Sequence, residues 1–205
     1  MNGDILFCVV VGYLCGSIPF GLILTKMAGG GDIRTIGSGN IGATNVLRTG
    51  RKSLAAATLI LDAAKGAFSI FIVSLFLSKV VLADAYLGLV GVSAVIGHCY
   101  PVWLKFSGGK GVATGLAVIT MLSPISGILF IATWILIAYI MKYSSLAALT
   151  AFASSSISAL ILENNEISIA IIFITLLAFF RHTENIKRLL SGEESRISTR
   201  PKSKK

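Results

Sequence analysis

The feature that most constrains this chain is a succession of apolar runs close to membrane length. Residues 4–27, 54–78, 85–98, 112–122, 125–141, 145–162 and 167–180 carry only Asp4, Lys26, Asp62 and Lys65 as charged groups between them. A helix needs about 20 predominantly apolar residues to cross a bilayer. The hydrocarbon core offers no water, so each backbone polar group must be satisfied within the segment or a closed barrel. The alternating pattern of a membrane β-barrel is absent. Of the 205 residues 13% are charged, where a soluble domain carries about a quarter. The expected fold is an all-α polytopic integral membrane bundle of about seven transmembrane helices. Residues 1–190 make a single transmembrane domain, and 191–205 a basic, disordered tail.

Charge placement orients the bundle. Lys and Arg number 18 against 9 Asp and Glu, a formal charge of +9. In a soluble chain that balance suggests nucleic acid. Here the cations sit in loops and tail, where topology and anionic lipid account for them and no nucleic-acid partner is implied. With the N-terminus outside, the loops 28–53 and 99–111, Lys142 and the tail all fall on the cytoplasmic side. Glu163-Asn164-Asn165-Glu166 then forms an external turn. The first run starts at Asp4 without a basic stretch or small-residue cleavage site, so it reads as a retained helix kinked at Pro19. Cys8, Cys15 and Cys99 form no disulfide framework.

Three polar clusters interrupt the apolar pattern on that one side. The first is Gly37-Ser38-Gly39-Asn40-Ile41-Gly42-Ala43-Thr44-Asn45-Val46-Leu47-Arg48. Its glycines admit close backbone approach, its Ser, Asn and Thr add donors, and Arg48 adds a forked cation suited to phosphate. It matches G-x-G-x-x-G but lacks the preceding strand that a dinucleotide site requires. A short interfacial helix is expected over 42–50, placing the glycines at its N-terminus. The second cluster is Lys105-Phe106-Ser107-Gly108-Gly109-Lys110-Gly111, directly before a helix. It is not a Walker A loop, because Lys105 stands where the first glycine belongs and Gly111 where a Ser or Thr belongs. What remains is a glycine-lined lysine suited to one phosphate. The third is Arg181-His182-Thr183-Glu184-Asn185-Ile186-Lys187-Arg188, with His182 and Asn185 three apart on one helical turn. Three such clusters on one face point to an anionic ligand handled beside lipid.

Within the spans, Asp62 and Lys65 lie three apart and are expected to form an internal ion pair. His98 ends a span and is expected to cap it, while His182 is divided between positioning and direct contact. A thiolate mechanism through Cys99 is disfavoured by its apolar flank, which raises a thiol pKa. No spacing suggests zinc, and no paired acids suggest protein-held magnesium. A carrier of organic phosphates is the competing functional class. It would place polar groups near the midplane of repeated halves, and no repeat is evident. A structural membrane protein with a basic face would tolerate loss of Ser38 or Lys110.

Taken together and in order, these clusters resemble the three signatures of the bacterial membrane glycerol-3-phosphate acyltransferases that use acyl phosphate. The first is carried by Gly37-Ser38-Gly39-Asn40 through Arg48. The second is carried by Gly97-His98, Pro101-Val102, Phe106 and Gly108-Gly109-Lys110-Gly111-Val112-Ala113-Thr114. The third runs from Arg181-His182 through Leu189. Ile41 and Thr183 are minor departures. The resemblance implies transfer of a fatty acyl group from acyl phosphate to the 1-hydroxyl of glycerol 3-phosphate, without metal or cofactor, at the bacterial inner membrane. Glycerol 3-phosphate, acyl phosphate and membrane lipid are the implied partners. By position, Ser38, Arg48, Lys110, His182 and Asn185 match residues tied to activity. Gly37, Gly39, Asn40, Thr44, Asn45, Gly108, Gly109, Gly111 and Glu184 are the further expected substrate contacts.

Overall fold

Pro19 divides the first apolar run into two helices, α1 (Asn2–Ser17) and α2 (Phe20–Met27). Proline lacks the amide hydrogen that would continue the ladder, and its ring clashes with the preceding turn. The computed structural model describes residues 2–77 and 83–197. After α2 come the short helix α3 (Ala43–Leu47), within the 42–50 stretch expected to be helical, and the long α4 (Lys52–Leu77). The chain continues with α5 (Ala83–Cys99), α6 (Val112–Leu122), α7 (Pro124–Met141) and α8 (Ser144–Leu162). It closes with α9 (Asn165–Arg181) and α10 (Thr183–Leu190). No strand occurs among the described residues. The connection expected near 79–84 lies mostly outside them.

Five segments are long and apolar enough to cross a bilayer, or six if α9 and α10, bent by 61°, count as one. The expected span at 112–122 is α6, whose 11 residues rise only about 16 Å. That is roughly half a hydrocarbon core, so α6 is too short to span a bilayer by itself. It starts at Gly111, whose φ of 81° turns the chain sharply into the helix.

The central helix is α5, which packs against α1, α4, α6 and α9. Its small residues permit this. A Cβ on Gly97 would fall 2.3 Å from the Tyr13 carbonyl oxygen, and one on Gly16 only 1.9 Å from that of Ala94. Such small-residue seams let helices associate where lipid supplies no hydrophobic drive between them. Large apolar side chains such as Leu75, Ile135, Ile161 and Leu176 are exposed on the outer faces. In water such a surface would aggregate; toward lipid it is the solvated face.

The proline break also leaves backbone carbonyls for side chains. Lys65 Nζ donates to the Ile18 carbonyl at 2.7 Å and pairs with Asp62 Oδ1 at 2.8 Å, as the internal ion pair expected from their spacing. His98 does not cap its helix, contrary to the sequence reading. Its ring is buried, with Nδ1 3.7 Å from Asp62 Oδ1. Desolvating three ionisable groups is costly, so they are buried as a set. The tail expected to be disordered from 191 is instead fixed over 191–197. The Ile197 amide donates to the Lys142 carbonyl at 2.7 Å, and Glu194 is buried. Residues 198–205 lie outside the described ones.

Candidate active site

The first loop is seated by its own small apolar cluster of Leu22, Ile33, Ile41, Val46 and Ala55. Asn45 ties the polar backbone to that seat. Its Nδ2 donates toward the carbonyls of Ile33 (3.0 Å), Ile36 (2.9 Å) and Asn40 (2.8 Å), and its Oδ1 accepts from the Ser38 amide (3.0 Å). Both ends of the amide are thus spent inside the protein. Asn45, expected from the sequence as a substrate contact, thus shapes the loop that lines the site. Gly37 has φ 57°, and a Cβ there would sit 2.4 Å from Asn45 Oδ1. Asn40 Oδ1 accepts from the Gly42 amide at 3.0 Å, closing the turn into α3. Thr44 faces Ser144, with their hydroxyls 3.3 Å apart, rather than the first loop's glycines.

The second loop is clamped from two sides. The Gly108 and Gly109 amides donate to the carbonyls of Cys99 (3.1 Å) and His98 (3.0 Å) at the end of α5. From the other side, Arg181 donates through Nε to the Gly109 carbonyl and through Nη2 to that of Gly108, each at 3.0 Å. A rigid guanidinium fork suits two successive carbonyls. Arg181 also lies over the Tyr100 ring, 5.0 Å from its centroid. Gly109 rests directly on the His98 imidazole, so the buried triad forms the floor of this loop. Gly111 packs against Val95 and Cys99, and the Cys99 side chain is fully buried away from the cleft, which suits it to no nucleophilic role.

The third cluster forms where α9 turns into α10. His182 is buried there and its Nδ1 donates to the Ala178 carbonyl at 2.7 Å. A carbonyl only accepts, so this fixes the proton on Nδ1 and leaves Nε2 as the acceptor of the neutral ring. One turn on, Asn185 Oδ1 accepts a hydrogen bond from Lys110 Nζ. Asn185 Nδ2 donates to Glu194 Oε1 at 2.8 Å. Arg48 reaches the same corner: its stem covers Gly37, and its Nη2 donates to Ser195 Oγ at 2.6 Å.

A cleft of about 550 Å³ opens between the first and second loops. It is lined by Arg34, Ser38, Asn40, Gly108, Lys110 and Arg181, together with Asp32, Thr35, Gly39 and Ser107. Of the five residues expected to carry activity, Ser38 and Lys110 line it directly. Asn185 joins through Lys110, Arg48 stands behind Gly37, and His182 occupies the adjoining corner. Gly39, Asn40 and Gly108 line the cleft, and Gly37, Gly109 and Gly111 belong to the same two loops without lining it. Glu184 does not belong to it. Its carboxylate pairs with Lys187 at 3.0 Å, and both side chains are about 70% exposed on the outer face of α10. Adjacent residues stand about 100° apart around a helix, and α10 turns Asn185 inward and Glu184 out.

The electrostatics favour an anion. Burial lowers the Lys110 ammonium to about 8, Arg188, Arg181 and Arg48 push the same way, and Glu194 opposes them. Arg34 is held by Asp32, whose carboxyl the guanidinium's hydrogen bond lowers to about 2. Among the described residues no three His, Cys, Asp or Glu side chains gather to hold a metal ion. Sequence reasoning missed Arg34 and Asp32 at the rim, Arg181 as the brace and Glu194 as the anchor. Arg181 was visible as the residue opening the third cluster, whereas nothing in the sequence marked Glu194.

The chain is similar in sequence and fold to known proteins. A profile of the glycerol-3-phosphate acyltransferase family matches residues 6–192. The chain is 52% identical over 192 residues to a glycerol-3-phosphate acyltransferase of Sinorhizobium medicae (strain WSM419), covering 94% of this chain and 92% of that one. It is 50% identical over 198 residues to one from Rhodospirillum rubrum, covering 95% and 92%. Its fold is similar to the crystal structure of PlsY (YgiH), an integral membrane glycerol 3-phosphate acyltransferase, in its glycerol 3-phosphate form. That match has a TM-score of 0.88 and 38% identity, and covers 95% of this chain and 96% of the other. The lysophosphatidic acid form matches with a TM-score of 0.85 and 37% identity.

Proposed function

Since the chain belongs to the glycerol-3-phosphate acyltransferase family, we propose that it draws its acyl group from acyl phosphate and passes it to the 1-hydroxyl of sn-glycerol 3-phosphate. The products are 1-acyl-glycerol 3-phosphate and inorganic phosphate. The observation that carries this reading is one cleft facing Lys110, Arg181 and the Ser38 loop together, with Lys110 paired to no carboxylate among the described residues. Both substrates bring phosphate, which offsets a half-buried ammonium surrounded mainly by other cations. The acyl chain stays in the bilayer while the reacting head enters the cleft.

An acyl phosphate is already activated, so the site needs no protein nucleophile. The glycerol hydroxyl attacks the acyl carbonyl carbon, the bond from that carbon to the phosphate oxygen breaks, and phosphate departs. The hydroxyl proton passes to a phosphate oxygen of the substrate, whose second pKa is about 6. Lys110 and the loop amides steady the negative charge that develops on the carbonyl oxygen. Ser38, the Nε2 side of His182 and Lys110, itself held by Asn185, keep the two reactants in line, which lowers the entropic part of the barrier. The basic cluster at this end of the bundle supports a cytoplasmic orientation in the bacterial inner membrane. Polar groups gathered at one end also disfavour a carrier, whose site would lie at the midplane.

The test uses purified protein with glycerol 3-phosphate and either palmitoyl phosphate or palmitoyl-CoA. Palmitoyl phosphate is expected to yield lysophosphatidate and phosphate in equal amounts, and palmitoyl-CoA neither. Product formed from palmitoyl-CoA alone would overturn the donor assignment.

A further inference from the structure

Glu194 lies outside all three polar clusters and beyond the residues matched by the family profile. It is nevertheless buried, in the strap that follows α10. Gly192, at φ 74°, turns the chain back, and the amides of Glu193 and Glu194 donate to the Arg188 carbonyl at 2.8 and 3.1 Å. The carboxylate then receives three donors. Asn185 Nδ2 reaches Oε1 at 2.8 Å, Ser145 Oγ reaches the same oxygen at 3.0 Å, and Arg188 Nε reaches Oε2 at 2.8 Å. Burial alone would raise this carboxyl; those hydrogen bonds outweigh it and hold it below the ordinary carboxylate range. It is an anion built into a corner otherwise made of cations.

An asparagine amide has one donor end and one acceptor end, and an ionised carboxylate accepts only. Glu194 therefore takes the NH₂ end of Asn185 and turns Oδ1 toward the Lys110 ammonium. Reversed, the amide would face a cation with its donors and leave Glu194 a carbonyl oxygen. We propose that Glu194 is a positioning residue, orienting Asn185 so that its carbonyl holds Lys110 over the cleft. The inference rests on the functional reading only in taking that cleft as the glycerol 3-phosphate site. The charged and titratable groups around Lys110 are Arg188 on α10, Arg181 and His182 at the α9–α10 corner, Arg48 after α3, and Glu194 on the strap. Glu194 is the one anion among them.

The experiment is calorimetric binding of glycerol 3-phosphate to the full-length purified protein between pH 6.5 and 9.5, with thermal unfolding measured alongside. Glu194→Gln removes the charge with little change of shape. It should move the alkaline loss of binding downward by roughly half a unit to one unit, at the low end of what an opposite charge nearby contributes. Glu194→Ala should weaken binding about tenfold at pH 7, and should add nothing further to Asn185→Ala, because coupled neighbours are not additive. Wild-type affinity and an unmoved alkaline limb in both Glu194 variants would overturn the proposal. So would losses that simply multiply in the double variant, or losses that track a lowered Tm with the limb unchanged. If the wild type binds glycerol 3-phosphate but transfers nothing from acyl phosphate, the donor reading fails and this one is still decided by the binding data.

Discussion

Replacing Gly109 by alanine should damage the protein far more than one methyl group suggests. The new Cβ would lie 1.9 Å from His98 Nε2, well inside contact distance. The ring has no direction in which to retreat: it is buried, with Asp62 on its far side. The loop has none either, since the Gly109 amide is bonded to the His98 carbonyl and its own carbonyl to Arg181, each at 3.0 Å. Overpacking a tight site costs about 1–3 kcal/mol. Losing one charge-assisted hydrogen bond to Arg181 adds about 1.5–3 kcal/mol. Some of this is relieved by a loop shift, so roughly 2–3 kcal/mol is expected at the site. If that penalty falls on the transition state, kcat/KM drops by about 30- to 150-fold. Gly42 gives the internal control. Its φ is −78°, and a Cβ there would meet nothing closer than Asn40 Oδ1 at 3.6 Å. Gly42→Ala should keep activity within a few-fold, although it belongs to the same kind of glycine-rich signature. The assay is the initial rate of lysophosphatidate formation with Tm measured on the same preparations. Equal rates for the two variants would refute the clamped-loop account.

Other outcomes follow from the same geometry. Lys110 must be protonated to meet an anion, and its ammonium titrates at about 8. Turnover should therefore hold below pH 7 and fall toward roughly a tenth by pH 9, the form of an essential acid's alkaline limb. Lys110→Arg, permanently charged, should lower turnover but abolish that limb; a limb that persists would belong to another group. Asp62→Ala leaves Lys65 buried without its anion and should cost about 3–5 kcal/mol, read as lost yield and lowered Tm. Asp62→Leu combined with Lys65→Met should recover most of that stability, and failure to recover would point to a role beyond charge balance. Glu184→Gln should change Tm and turnover little, within about 0.5 kcal/mol, because its ion pair with Lys187 is solvent-exposed. A large loss of activity there would return Glu184 to the site.

The membrane bundle, the proline break, the short helix over 43–47 and the glycine- and cation-rich loops are all legible from the residues in order. Those properties come from local chemistry: run length against bilayer thickness, the missing amide hydrogen of Pro19, glycines beside unpaired cations. What each polar side chain faces is decided elsewhere. Asn45 looked like a ligand donor and is spent on three carbonyls of its own loop. His98 looked like a helix cap and floors the glycine loop above Asp62. Glu184 and Asn185 are chain neighbours, yet one points to solvent and the other to Lys110. Glu194 sits in a stretch that composition alone assigns to a loose tail, and it anchors the corner. The physical reason is the same in each case. Chain order sets the length and polarity of each segment, whereas a hydrogen bond depends on a few tenths of an ångström between groups 5 to 147 residues apart in the sequence. Only the packing of α5 against its neighbours, and the return of the chain after α10, bring those groups within reach.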